Sequence, residues 1–411
     1  MASIYPFSAV MPAAATAAAV SSEPYDVVSR DDVRRTFEQN PLTFLQVTRA
    51  DALLPPDIDP SGTEVYQRAY KNYHKLAAAA PLQPVKNASL FLYALTAGDC
   101  TQTGLAGAMS IDEYDCNVIR KHERTRKQKE DDRTRHILTV RAQTGPVFLA
   151  YRDSTAVDEA VEHVMQTVSP TFDFSGLDGV RHQVWQVPTA QTRAIQQGFA
   201  SLQNLYIADG HHRAAAASRA RAKRRAENSA HTGTEAYNRF LTVSFPASQL
   251  KILAYNRVAN DLAGLSRDSF LKRLNDTFSV ERTSSPIPAQ RGVFCVYLGG
   301  GDWRRIEFTG SRAGRSRADR LDVSILQDFL LEPVLKIQDP RTDERIDFVG
   351  GSHGTKELER RVDSGKAAVA FSLYPPSIEQ LFAIADAGGI MPPKSTWFEP
   401  KLRDGLFIHE I

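Results

Sequence analysis

One stretch constrains this chain more than any other. Leu205-Tyr206-Ile207-Ala208 is an apolar run that stops at Asp209-Gly210, and His211-His212-Arg213 then opens a long alanine- and arginine-rich segment. The pattern predicts a strand, a loop and a helix that begins at the loop. The first N–H groups of a helix have no carbonyl of their own helix to bond, and they lie at the positive end of its dipole, so they suit an anion, phosphate above all. Gly210 lets backbone approach a ligand without a Cβ in the way. Arg213 offers a planar fork for phosphate oxygens, and His211 and His212 add donors. The plain alternative is a tight strand-to-helix turn with a satisfied histidine pair.

At 411 residues the chain exceeds one ordinary core, which predicts two domains, 1–260 and 261–411. A 42% hydrophobic and 24% charged composition describes a water-soluble globular protein. The formal charge of +2 carries no global polyanion signature, so a dedicated nucleic-acid binder is not expected. Cys100, Cys116 and Cys295 have no CxxC spacing, which argues against a disulfide framework or a zinc site. The alanine run at 13–19 lacks the basic leader of a signal peptide, since no Lys or Arg precedes Arg30. No uninterrupted apolar stretch is long enough for a bilayer, and a cytoplasmic location is expected.

Along the chain, Ser29 is placed to cap a helix over 30–39 that ends at Asn40-Pro41. Tyr66, Tyr70 and Tyr73 predict a packed face on a helix over 64–80. Tyr25 and Asp26, before the first helix, read as loop residues without a task. Strands over 89–95 and 103–109 form a hairpin with an extended loop. Basic residues crowd 120–141, where His122-Glu123 precedes a helix; Glu123 among arginines and lysines stays ionised, able to accept a proton only from a hydroxyl placed against it. A solvated charged face is the bland reading of that run. The basic helix over 213–225 reads as an exposed face leading into a polar loop. Later come a strand over 252–258, a helix over 266–278, strands over 292–298 and 304–308 around a glycine-rich turn, a helix over 323–334, and a strand over 367–373. The proline-stiffened run from Met391 to Phe398, with Lys394, reads as packing. Strands alternating with helices predict an α/β or mixed α+β fold with its ligand at strand C-termini.

Pro24-Tyr25-Asp26-Val27, His122-Glu123-Arg124-Thr125 with Asp132-Arg133, Ala208-Asp209-Gly210-His211-His212-Arg213, and Pro393-Lys394-Ser395-Thr396 occur in that order. Together they resemble the family called domain of unknown function 1015, over nearly the whole chain. The central turn is also similar to the phosphate-binding turn of the ParB/sulfiredoxin superfamily and its free-serine kinases. That resemblance implies a ParB/sulfiredoxin-like nucleotide-binding core in the first domain and an additional α/β domain after it. Sulfiredoxin chemistry needs a cysteine where this turn has histidine. A ParB-like DNA clamp lacks its helix-turn-helix signal here.

The resemblance therefore implies a nucleotide-dependent kinase acting on a small hydroxyl compound, with free L-serine as first guess. The alternative is a ParB-like nucleotide switch without kinase activity; a structural protein would leave the clustered polar motifs without purpose. In the kinase reading Glu123 is the general base with His122 beside it. Gly210, His211, His212, Arg213, Arg124 and Lys394 hold the phosphates of ATP or ADP, and Asp209 serves the chemistry and meets Mg²⁺. Nucleotide and hydroxyl substrate are the expected partners, with neither nucleic acid nor membrane.

Overall fold

Phe91–Ala97 and Cys100–Ser110 are apolar along most of their length and pair antiparallel from Phe91↔Ala106 to Ala97↔Cys100. Gly98 and Asp99 join them. Gly98 has φ 57°, the left-handed conformation that a two-residue hairpin needs, so the turn is tighter than the extended loop expected. The structure is a computed structural model and describes residues 2–411. It divides into two compact units. One comprises the chain to Lys121, Thr125–Leu250 and Pro400–Ile411; the other comprises His122–Arg124 and Lys251–Glu399.

The hairpin lies within the mixed sheet of the first unit. Its spatial order is Ile119–Arg120, Leu205–Asp209, Val147–Tyr151, Arg239–Pro246, Cys100–Ser110, Phe91–Ala97, Arg181–Gln186 and Phe172–Ser175, with Ile4–Tyr5 also on Cys100–Ser110. Leu205–Asp209 runs parallel to Ile119–Arg120, and Arg239–Pro246 parallel to Val147–Tyr151; the other pairs are antiparallel. Helices Thr155–Thr167 and Thr189–Ser201 bring Val157, Val164, Ile195 and Phe199 into the core of Leu92, Leu105, Leu149 and Ile207. The fold is mixed α/β, as the alternation of elements predicts.

Ser29 caps Arg30–Gln39 in a reciprocal capping box with Asp32. Helix Thr63–Ala79 buries Val65, Ala69, Tyr73 and Leu76 against Phe44 and Val47. Tyr66 also faces inward, but Tyr70 is 42% exposed and meets the His74 ring edge-on. The tyrosine spacing overstated the packed face because Ala69 and Leu76 complete the stripe instead.

In the second unit six antiparallel strands lie in the order Phe278–Arg282, Trp303–Phe308, Val293–Tyr297, Val369–Leu373, Tyr255–Ala259, Ile346–Gly350. The run expected as one strand over 252–258 is two. Lys251–Leu253 pairs with Trp397–Glu399, while Tyr255–Ala259 joins the large sheet. Helix Arg267–Leu274 stops earlier than expected because Phe278 belongs to a strand, opposite Phe308. The helix expected over 323–334 is Asp322–Leu326 followed by a π-helical segment, Gln327–Leu331. Gly299, Gly300 and Gly301 all have positive φ and form the turn before Trp303–Phe308. No helix among the described residues is long and apolar enough to cross a membrane.

Candidate functional site

Strand Leu205–Asp209 leads directly into helix His211–Glu227. Tyr206 and Ile207 stand opposite Ala150 and Leu149, but the register shifts before Asp209, which stands opposite Phe148. Such a bulge turns the chain and re-aims the side chain that follows it. Gly210 has φ 92°, and a Cβ there would also approach Arg213 Nε to 3.3 Å. Alanines 214, 215, 216, 217 and 220 are buried, and Ala214, Ala215 and Ala217 pack into the core beside Val147 and Ile207. Their small size brings the helix close to the strands, which explains the alanine run.

Asp209 is engaged at both oxygens. Oδ1 accepts the Gly210 N–H at 2.8 Å and Oδ2 pairs with Lys401 Nζ at 2.9 Å. His211 is buried. His212 accepts the Arg126 backbone N–H at Nε2, 3.0 Å away, so its ring donates only from Nδ1. Arg213 turns inward, its side chain 11% exposed. One terminal nitrogen donates to the Pro146 carbonyl and the other lies 4.0 Å from Asp26.

Beneath the turn is a cluster of charges that the sequence did not single out as a site. The Arg133 guanidinium lies 4.1 Å from the centre of the Tyr25 ring and bonds Asp132, which also accepts the Tyr66 hydroxyl at 3.0 Å. Tyr25 and Asp26 are thus not idle loop residues: one lies under Arg133 and the other faces Arg213. Asp404, 1% exposed, completes the cluster from the last segment of the chain. Burial, aided by the negative charge of Asp26, pushes its carboxyl up to about 7 against the pull of Arg213. Burial pushes His136 down to about 4, and its Nε2 lies 3.1 Å from the Val47 carbonyl, so that imidazole is neutral. Burial also raises the Tyr25 phenol, which stays protonated. Tyr25, Thr48, Arg133, Arg213 and Asp404 are among the residues lining a cavity of about 30 Å³. Tyr25-Asp26 and Asp132-Arg133 were visible as motifs; nothing in the sequence marked Asp404.

His122, Glu123, Arg124 and Lys394 belong to the second unit, whereas residues 209–213 belong to the first. His122 is buried and its carbonyl accepts the Met391 N–H at 2.8 Å; Glu123 is half-buried and Arg124 exposed. Lys394 has φ 55°, uncommon for a residue with a side chain. Arg257 secures that conformation by donating to the carbonyls of Lys394 at 2.9 Å and Pro393 at 3.3 Å.

Among the described residues no group of three or more His, Cys, Asp or Glu side chains is arranged to hold a metal. Asp209, bonded to Lys401 and Gly210, is a carboxylate at the turn, and Mg²⁺ takes one or two carboxylates together with substrate phosphates.

A family model described as "Protein of unknown function (DUF1015)" matches residues 4–324. No curated protein matches the chain. Solved structures similar to it include a mutant of free serine kinase in complex with ADP, 13% identical, covering 71% of this chain and 87% of that one with a TM-score of 0.36. A conserved hypothetical protein from Pyrococcus furiosus is 12% identical, covering 73% and 93%, with a TM-score of 0.36. SbnI with a C-terminal truncation, from Staphylococcus aureus, is 10% identical, covering 73% and 85%, with a TM-score of 0.38.

Proposed function

The chain belongs to the DUF1015 family, and on that footing we propose that it is a nucleotide-dependent phosphotransferase acting on a small hydroxyl compound, free L-serine being the first candidate. The observation that carries the reading is the strand-to-helix turn. A left-handed glycine starts a 17-residue helix beside two histidines and an arginine, which is the local structure that receives a phosphate. Gly210, His211 and His212 hold the phosphates of ATP or ADP, and Arg213 contributes its charge from below. Lys401 holds Asp209 in place at the turn. Arg124 and Lys394 are further phosphate ligands in this reading. Glu123 is the base, with His122 beside it: the acceptor oxygen bonds phosphorus, the bond from phosphorus to the nucleotide's bridging oxygen breaks, and the acceptor proton passes to Glu123. Mg²⁺, where bound, would be met by Asp209 and would neutralise charge on the phosphates.

The alternative, a nucleotide switch on DNA, draws no support from the basic helix. Arg219 pairs with Glu130 and Asp131, and Arg221 with Asp112 and Asp115, so two of its cations are answered by carboxylates. The test is phosphate transfer from labelled ATP or ADP to a panel of hydroxyl compounds, serine first, beside a nucleotide-binding titration. Glu123→Gln should keep nucleotide affinity and lose turnover by about a hundredfold to ten-thousandfold, mostly in kcat. A native protein that binds nucleotide and phosphorylates nothing on the panel defeats the kinase reading.

A further inference from the structure

Thr48 Oγ1, Arg213 Nε and Asp404 Oδ1 are buried side-chain atoms with no hydrogen-bond partner in the protein, and all three belong to residues lining the cavity beneath the turn. Buried polar atoms without partners are costly, and one such atom would be a local imperfection. Three on residues around one small space, comprising a donor, a hydroxyl and a carboxyl oxygen, are groups that one bound water can satisfy. A buried water takes about three hydrogen bonds and needs roughly 10–15 Å³ open to it. The cavity offers about 30 Å³.

Charge narrows the occupant. Facing Asp404 are Arg213 from the turn helix, Tyr25 and Asp26 from the N-terminal loop, and Arg133 and His136 from helix Lys127–Val140. With His136 neutral and Tyr25 protonated, two guanidinium charges stand against Asp26 and Asp404. An added anion would meet the carboxylates and an added cation the guanidiniums, so a neutral polar molecule fits best. Gly145 makes the room: a Cβ there would lie 2.1 Å from Asp404 Oδ1.

We propose that this chamber is a buried-water site shared by Arg213, Thr48 and Asp404, and that Asp404 takes up and releases a proton through that water. On release the O–H bond of the carboxyl breaks, its electron pair stays on oxygen, and the proton passes to bulk solvent. The direction in which burial moves this carboxyl agrees with such exchange near neutral pH. The inference stands independently of the proposed reaction.

Two measurements on the full chain test it. Carbon-13 NMR of the aspartate carboxyls should show one resonance titrating near pH 7, absent from Asp404→Asn. If every aspartate in the native protein titrates below about pH 5, near its ordinary range, the proton site is overturned. The native spectrum decides this even if the variant does not fold. A high-resolution crystal structure should show an ordered oxygen within hydrogen-bond reach of Arg213 Nε and Thr48 Oγ1; a dry chamber overturns the water. Thr48→Val, which removes one of the water's partners, should move the Asp404 midpoint upward, and an unchanged midpoint counts against a shared site.

Discussion

Two largely enclosed arginines, Arg213 in the first unit and Arg257 in the second, are neutralised differently. In the first, Arg213 sits among Asp26, Asp404 and the Pro146 carbonyl, with its Nε unpartnered. In the second, Arg257 donates to the carbonyls of Tyr255, Pro393 and Lys394, and its guanidinium lies 4.6 Å from the centre of the Phe348 ring. Burial pulls Arg257 down to about 10, which leaves it charged at neutral pH. Carbonyl dipoles do not titrate, so the Arg257 site is fixed. Carboxylates do, so the surroundings of Arg213 can change charge. A buried cation held by backbone secures shape, whereas one held by carboxylates also couples shape to protons.

The largest expected effect is on Arg213→Met, which leaves the buried Asp404 without this counter-charge and should cost about 3–5 kcal/mol at pH 8 in urea unfolding. The loss should shrink at pH 5, where Asp404 is protonated. Arg257→Met strands carbonyls but no charge, so about 1–3 kcal/mol with no dependence on pH between those values is expected. Equal, equally pH-dependent losses at both sites would erase the distinction.

Next is Gly145→Ala, which drives a methyl group into Asp404 Oδ1 and should cost about 1–3 kcal/mol. In the Asp404→Ala background much of that cost should vanish, giving a coupling above about 0.5 kcal/mol in a double-mutant cycle. Additivity would place the strain elsewhere.

The stability profile of Asp404 itself is also predictable. Its folded carboxyl lies above its unfolded value of 3.8, so the folded protein holds the proton after the unfolded chain has released it. Stability from this group is full below the unfolded value, falls as pH rises, and levels off above about 7. Asp404→Asn should therefore gain on the native protein in thermal midpoint between those limits and run parallel to it above them. In the proposed function the same ionisation adds a negative charge below the turn, so native nucleotide affinity should weaken by roughly two- to tenfold through neutrality, at an effective dielectric near 20. The Asn variant should show little of this in calorimetry.

The smallest effect belongs to the surface. Arg219→Ala, whose side chain is 40% exposed, should change stability by about 0.2–1 kcal/mol and less in high salt.

Local chemistry made much of this legible from sequence. Ser29 before two aspartates announced its capping box, and the apolar run ending at Asp209-Gly210 announced the strand, the bend and the helix, because those patterns act over a few residues. The same locality explains the errors: the run over 252–258 looked like one strand since nothing nearby says that its two parts pair with strands at 397–399 and 346–350. Tyr25 and Asp26 were visible as a motif but had no evident task until Arg133 and Arg213 were beside them. Asp404 was the hardest to foresee, and Lys401 comes from the same segment. They reach Gly210's neighbours only because the last residues of the chain return to the first unit, where Asp404 exchanges backbone hydrogen bonds with Ser22 and Ile408 with Val10. What the sequence determined by itself was the turn and the elements flanking it, through propensity and period. Which carboxylates would lie under that turn, and whether water could reach them, was decided by contacts across hundreds of residues, for which a local pattern carries no signal.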